Sequence, residues 1–257
     1  MLTQSHTLPQ TIDEVIAQLD QVIERCLREG TRLGYFAMLY RDVTMRVREG
    51  IAAGRFEDGS RMERLDVIFA SRYLQALYEY WAGKQPSASW LVAFEGARHW
   101  SPIIMQHLLL GMSAHINLDL GIAAAQTAPG DQLPDLEKDF NEITNLLAEM
   151  IHGMEKRIEK VSPWFRLIDH IGGRTNEQIC GFGMEQGRNL AWLTAQEMAN
   201  LTGEELSQKI QETDQIGAAL GQVILSPIGI LTRLGLHIIR LRETRHVPQV
   251  IQILKFG

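Results

Sequence analysis

A chain of 257 residues, 45% hydrophobic and 22% charged, has ample material for a core and is not globally disordered. Its formal net charge of −6, with Lys and Arg scattered among acids, excludes the basic face that a general nucleic-acid binder needs. Cys26 and Cys180 are the only cysteines and form no C-x-x-C, which excludes a disulfide framework or thiolate zinc cluster; both read as small packing hydrophobes. The opening "MLTQSHTLPQ" has no basic and apolar leader pattern, so a cytoplasmic location is the expectation.

In chain order, Ile12, Val15, Ile16, Leu19, Val22, Ile23, Cys26 and Leu27 recur at three- and four-residue steps, one face of an amphipathic helix over 12–29. Thr11 with Glu14 has capping-box spacing and Gly30 is a stop. Ser60 with Glu63, Thr175 with Gln178 and Thr202 with Glu205 repeat the box, while Ser162-Pro163 and Ser226-Pro227 read as N-caps followed by a first-turn proline. Between these signals the spacing predicts helices over 34–52, 61–82, 102–127, 134–160, 163–171, 176–201, 203–224 and 227–241. The longest loop expected is "GKQPSASW", 83–90; no strand pattern, fixed-period repeat or linker competes. The expectation is an all-α, single-domain bundle of about eight to nine helices around a buried central helix. Residues 1–10 read as a flexible N-terminus, 11–245 as the domain and 246–257 as a tail.

The central helix, 102–127, is apolar nearly all round, so it is either enclosed by protein or long enough to span a bilayer. Asp119 near its middle opposes the span, at about 2.5–3.5 kcal/mol on an insertion scale, and no transmembrane segment is expected. His115 and Asp119 lie one turn apart, in line with Leu108, Met112, Ile122 and Gln126. Gln106, Ser113 and Asn117 fall on a second line, and His107 with Gly111, Ala114 and Leu118 on a third. The 61–82 helix carries a matching oddity. Asp66 sits in its apolar face of Met62, Leu65, Phe69, Tyr73, Ala76, Leu77 and Tyr80, with Arg72 at the edge.

A buried carboxylate must be paired, metal-bound or protonated. Three partners present themselves for Asp66: Arg72, His115 or a metal. His115, Asp119 and Asp66 together suit a divalent ion such as zinc, iron or manganese. Without a metal, Asp119 can orient His115 as a general base, with Asp66 as acid and Arg72 gripping an anionic substrate group. The competing reading is a satisfied core network that fixes helix register and binds nothing.

Other motifs carry less. Glu149 with His152 and Glu243 with His246 have E-x-x-H spacing, yet the first pair lies off its helix's core line and the second among arginines, so a di-iron bundle is set aside. H-E-x-x-H, P-loop, dinucleotide and nucleophile-elbow motifs are absent from the sequence. Cys180 in "EQICGFGMEQG" reads as packing, and Gly181, Gly183 and Gly187 as places of close helix approach. On the same helix Ile179, Phe182, Leu190, Leu193 and Leu201 read as the buried stripe, which also includes Gln186 and Glu197. Trp90, Trp100, Trp164 and Trp192 read as core or pocket wall, and Arg188 one turn before Trp192 suggests a cation–π pair. The apolar "VILSPIGILTRLGLHIIRLR" is expected first to close the core, with a homodimer interface or a lipid surface as the other destinations.

The segments "GTRLGYFAMLYRDVT", "GRFEDGSRMERLDVIFASRYLQAL", "HLLLGMSAHINLDLGIAAA" and "APGDQLPDLEKDFNEI" resemble the bacterial domain of unknown function 5995 family, most strongly over 31–145. The resemblance implies a helical protein and assigns no activity or residue role. A more distant similarity, to the helical zinc-dependent phospholipase C and P1-nuclease group, lacks that group's N-terminal Trp ligand and its crowd of histidines. The functional expectation is a metal-assisted or His-base hydrolase of a small anionic substrate, centred on His115, Asp119, Asp66 and Arg72. Its alternative is a non-catalytic protein that binds a small-molecule ligand or a partner.

Overall fold

The first helix, α1 (Ile12–Glu29), starts where Thr11 Oγ1 accepts the Glu14 N–H at 3.2 Å, while Glu14 reaches back to the Gln10 N–H at 2.7 Å. It stops at Gly30, whose φ of 64° is the left-handed conformation that glycine adopts without strain. Seven of the eight side chains at the expected spacing, Ile12 to Cys26, are buried, and Leu27 is partly buried.

The computed structural model describes residues 7–164 and 176–255, apart from the side chains at 144, 148, 151, 152 and 176–185. After α1 come α2 (Leu33–Ala52), α3 (Gly59–Trp81), α4 (Ala88–Arg98) and α5 (Ile104–Ala114). A π-helical segment, His115–Leu120, continues α5 into α6 (Gly121–Thr127). A 3-10 turn, Gly130–Gln132, leads to α7 (Leu133–Val161), followed by α8 (Asn176–Met198), α9 (Gly203–Leu225), α10 (Ile230–Arg242) and α11 (Val247–Leu254). The all-α expectation holds, with eleven helices rather than eight to nine and no strand among the described residues. The expected helix at 163–171 and the box at Thr175 fall largely outside them.

Ile104–Thr127 is long and apolar enough to cross a membrane, but here it runs through the bundle with most of its side chains buried. Its first half packs into a core shared by α1–α4 and α11; its second half joins a cluster from α3, α7 and α8. Gly121 permits the close approach of α8, since a Cβ there would meet Ala191 O at 2.8 Å.

Two helices, α4 and α11, have no counterpart in the expected set, and each has a physical cause; the π segment adds a third by dividing the central helix into α5 and α6. In α4, Trp90, Ala93, Phe94 and Ala97 make a regular apolar face, yet the side chain before it gives no cap. Its N-terminus is capped from across the bundle by Asp214, whose carboxylate accepts the Ala88 and Ser89 N–H groups at 2.7 and 2.8 Å. In α11, Val247, Val250, Ile251 and Leu254 are buried against α1, α2 and α7, with Ile251 seated on Gly34, so the expected tail is a docked helix. Remote carboxylates recur as caps. Glu243 accepts the Ile104 N–H at the start of α5 at 3.0 Å, Glu63 that of Ile12 at 3.2 Å, and Asp139 those of Glu57 and Asp58 just before α3. Asp214, Glu243 and Glu63 put negative charge on first-turn N–H donors that have no intrahelical partner, while Asp139 holds the turn that leads into α3.

Some expected punctuation moves. Asp58 rather than Ser60 caps α3, and Ser226 ends α9 instead of starting a helix. On α8, Leu190 and Leu193 are exposed, while Gly187, Ala191 and Ala195 face inward, because only small residues fit so near the central helix.

Candidate functional site

Asp119 is 1% exposed, and three donors meet its carboxylate. Arg72 Nε, from α3, reaches Oδ1 at 2.8 Å; Trp90 Nε1, from α4, reaches Oδ2 at 2.8 Å; and His115 Nδ1 lies 3.1 Å from Oδ2. The central helix, α3 and α4 are therefore tied at one carboxylate.

Because the carboxylate accepts, the contact assigns the imidazole proton to Nδ1 and leaves Nε2 as a bare acceptor. Burial lowers the His115 pKa more than Asp119 raises it, so the ring is neutral at pH 7. Nε2 is buried and has no hydrogen-bond partner among the described residues. Aromatic rings enclose the imidazole. Phe69 stacks on it at 3.5 Å between centroids, Tyr40 meets it edge-on at 4.4 Å, and Phe36 and Trp90 stand at 5.7 and 5.8 Å. Gly111 makes room for this box, since a Cβ there would run into the Phe36 ring.

His115 forms part of the wall of a cavity of about 120 Å³. The rest of the wall is almost wholly apolar and rich in sulfur: Met105, Met112, Met150 and Met154 join Leu108, Phe36 and Phe69. Leu108, Met112 and His115 share it as the helical line predicts, but Ile122, expected on that line, packs with Leu118, Ala125 and Met198. The π segment between them shifts the ladder to i→i+5 and rotates the helix beyond it.

Asp66 is buried as expected but belongs elsewhere. It lines a separate cavity of about 60 Å³ with Arg188, Tyr40 and Phe69, whose wall does not include His115. Burial, reinforced by Glu63, pushes its carboxyl up to about 8, so it is mainly a neutral O–H at pH 7. The expected ligand set of His115, Asp119 and Asp66 is thus not assembled. Among the described residues no three His, Cys, Asp or Glu side chains converge as a metal ion requires. Arg72 pairs with Asp119 rather than Asp66, and does not line the His115 cavity.

The neighbours have structural roles. His107 packs edge-on to Tyr35 at 5.9 Å, and burial pulls its pKa to about 3. Asn117 donates to Ser113 Oγ, and Gln106 bridges the start of α5 to Ile224 O on α9. Glu149 pairs with Arg55 on the surface, Glu197 with Lys209, and Glu243 with Arg240. Cys26 is buried, as a packing residue should be; the side chain of Cys180 lies outside the described residues. Sequence reasoning put Trp90 and Phe69 in the core but missed Tyr40 and the box itself. The available signal was an aromatic on each of α2, α3 and α4 at a core position.

These features define a helical bundle with a carboxylate-oriented histidine at an apolar cavity. The chain belongs to a family of unknown function (DUF5995), whose profile matches residues 12–227. No curated protein and no solved structure matches it.

Proposed function

We propose that this protein binds a small, mainly apolar molecule that carries one hydroxyl or N–H donor, seated in the cavity beside His115. The observation that carries the reading is the neutral His115 Nε2, a buried acceptor without a hydrogen-bond partner among the described residues, in a wall that is apolar apart from Tyr40 and Glu155. An unpaired buried acceptor costs about 1–3 kcal/mol, and a ligand's donor recovers it. A dry apolar cavity of roughly 150 Å³ takes a benzene ring; one of about 120 Å³ suits a small ring, and four methionines can adapt to its outline. With Arg72 engaged by Asp119, no Lys or Arg among the described residues lines this cavity to hold an anionic substrate group.

A second reading rests on the dyad. A histidine fixed by a carboxylate with its other nitrogen bare is the arrangement of a general base, and Nε2 would then take the ligand's donor proton. The protein is then a His-base enzyme without the metal set expected from the sequence.

Calorimetric titration of phenol and toluene separates these outcomes from a purely structural network. Phenol is expected to bind about tenfold more tightly than toluene, the worth of one hydrogen bond, and His115→Phe to erase that preference. Equal affinities, or no binding of either, would defeat the binding reading. Turnover of p-nitrophenyl acetate that disappears in His115→Phe would favour the second.

A further inference from the structure

The α9–α10 elbow presents apolar surface that the core does not use. Together the helices satisfy the length and composition test for a membrane segment, but they are bent by 72° at Ser226–Gly229. Gly229 has a φ of 109°, a conformation that side-chain-bearing residues rarely adopt. The bend projects Ile228, Ile230 and Leu231, which are 86%, 85% and 80% exposed. Leu234, Ile238 and Leu241 continue the exposed stripe along α10, whose own buried residues are Ile239 and Arg240. Closing the core, the destination expected for this stretch, is therefore not where these side chains go.

Charge identifies what covers them. From residue 215 onward the sole acid in the sequence is Glu243, against Arg233, Arg240, Arg242, Arg245 and Lys255, in a chain of net charge −6. Glu243 is buried with Arg240, whereas Arg233, Arg242 and Arg245 are exposed. Two part-exposed tryptophans accompany the arginines: Arg242 lies over Trp164 at 4.8 Å and Arg240 over Trp100 at 5.5 Å. Exposed aliphatics flanked by arginine and tryptophan match the layers of a bilayer surface: acyl chains, interface and anionic headgroups.

We propose that this elbow docks on an anionic lipid bilayer, with Ile228, Ile230 and Leu231 inserted and Arg233, Arg242 and Arg245 among the headgroups. A second copy of the chain fits less well. A two-fold contact on this face would gather the arginines of both copies, and like charges oppose such an interface. This inference is independent of the His115 cavity.

The test is vesicle flotation of the full chain, with phosphatidylcholine vesicles prepared with and without one third phosphatidylglycerol. The protein is expected to float with the anionic vesicles and to remain behind with the neutral ones. Replacing Arg233, Arg242 and Arg245 with Gln should weaken partitioning about a hundredfold. Ile228→Asp/Ile230→Asp/Leu231→Asp should abolish it with an unchanged melting curve, whereas Leu193→Asp, an exposed leucine on α8, should float like the parent. Failure to float with anionic vesicles overturns the proposal, as does equal binding to neutral ones. A dimer in sedimentation velocity that the three aspartates dissociate, without flotation, assigns the face to a second copy instead.

Discussion

The Asp119 region and the α9–α10 elbow invert each other. One encloses ionisable groups in aromatic walls, and the other holds Ile228, Ile230 and Leu231 out to solvent. Around Asp119, burial leaves no freedom: each oxygen must find a donor, and donors come from three helices. At the elbow, solvated backbone and flanking arginines impose no such demand, so the geometry there is selected by what it meets. Inside, His115 Nε2 is a buried acceptor, unpaired among the described residues, in a cavity wall; outside, the apolar atoms of the elbow are set among arginines.

Removing the central carboxylate breaks the first region most severely. Asp119→Ala leaves the Trp90 N–H, Arg72 and His115 without their acceptor, and a loss of about 3–5 kcal/mol in urea unfolding is expected. A loss below about 1 kcal/mol would mean that the three donors find other partners.

Asp66 sharpens the contrast through pH. Its folded pKa of about 8 lies above the ordinary value of 3.8, so its contribution to stability is intact at acid pH and is lost as pH rises toward 8. Asp66→Asn should therefore raise stability at pH 8 by about 2–4 kcal/mol and change little at pH 4, read as melting temperature against pH. His107 works in the opposite direction. Its pKa, depressed to about 3, makes the folded state lose stability as pH falls below the ordinary 6.5, and His107→Phe should remove that acid arm.

Gly111→Ala drives a methyl into Phe36 and should cost about 1–3 kcal/mol, with loss of the parent's near-ultraviolet aromatic signal. The smallest effect belongs to the elbow. The aspartate substitutions at 228, 230 and 231 should shift unfolding free energy by no more than about 0.5 kcal/mol. A larger loss would show that the elbow packs on the body after all.

The sequence disclosed what depends on local periodicity. The buried face of α1, its caps and the pairing of His115 with Asp119 each follow from spacings of three and four residues. It concealed what depends on distance along the chain. The start of α4 is defined by Asp214, more than a hundred residues away, so it has no local signature; that of α5 is held by the remote Glu243 as well as by the local Gln106, and only the local part can be read along the chain. On α8 the close approach expected at Gly187 is present, but Leu190 and Leu193 do not form the buried stripe, because packing against the central helix selects Ala191 and Ala195 instead. Asp66 illustrates the remaining limit. Its burial was legible from the apolar face around it, but which cavity it entered was not, since the relation of α3 to α5 and α7 is set by tertiary packing. The π segment compounds this, because a wheel drawn at a constant angle cannot anticipate where the ladder slips.

Ligand binding at the cavity stands on a His115 that is neutral, protonated at Nδ1, and offers Nε2 to the bound molecule. A long-range proton–nitrogen spectrum of the histidine side chains at pH 7 reads all three properties at once. An Nδ1–H imidazole is expected for His115, with an Nε2 resonance that moves upon addition of phenol and stays in place with toluene. An imidazolium at that pH, an Nε2–H tautomer, or indifference to phenol would contradict it.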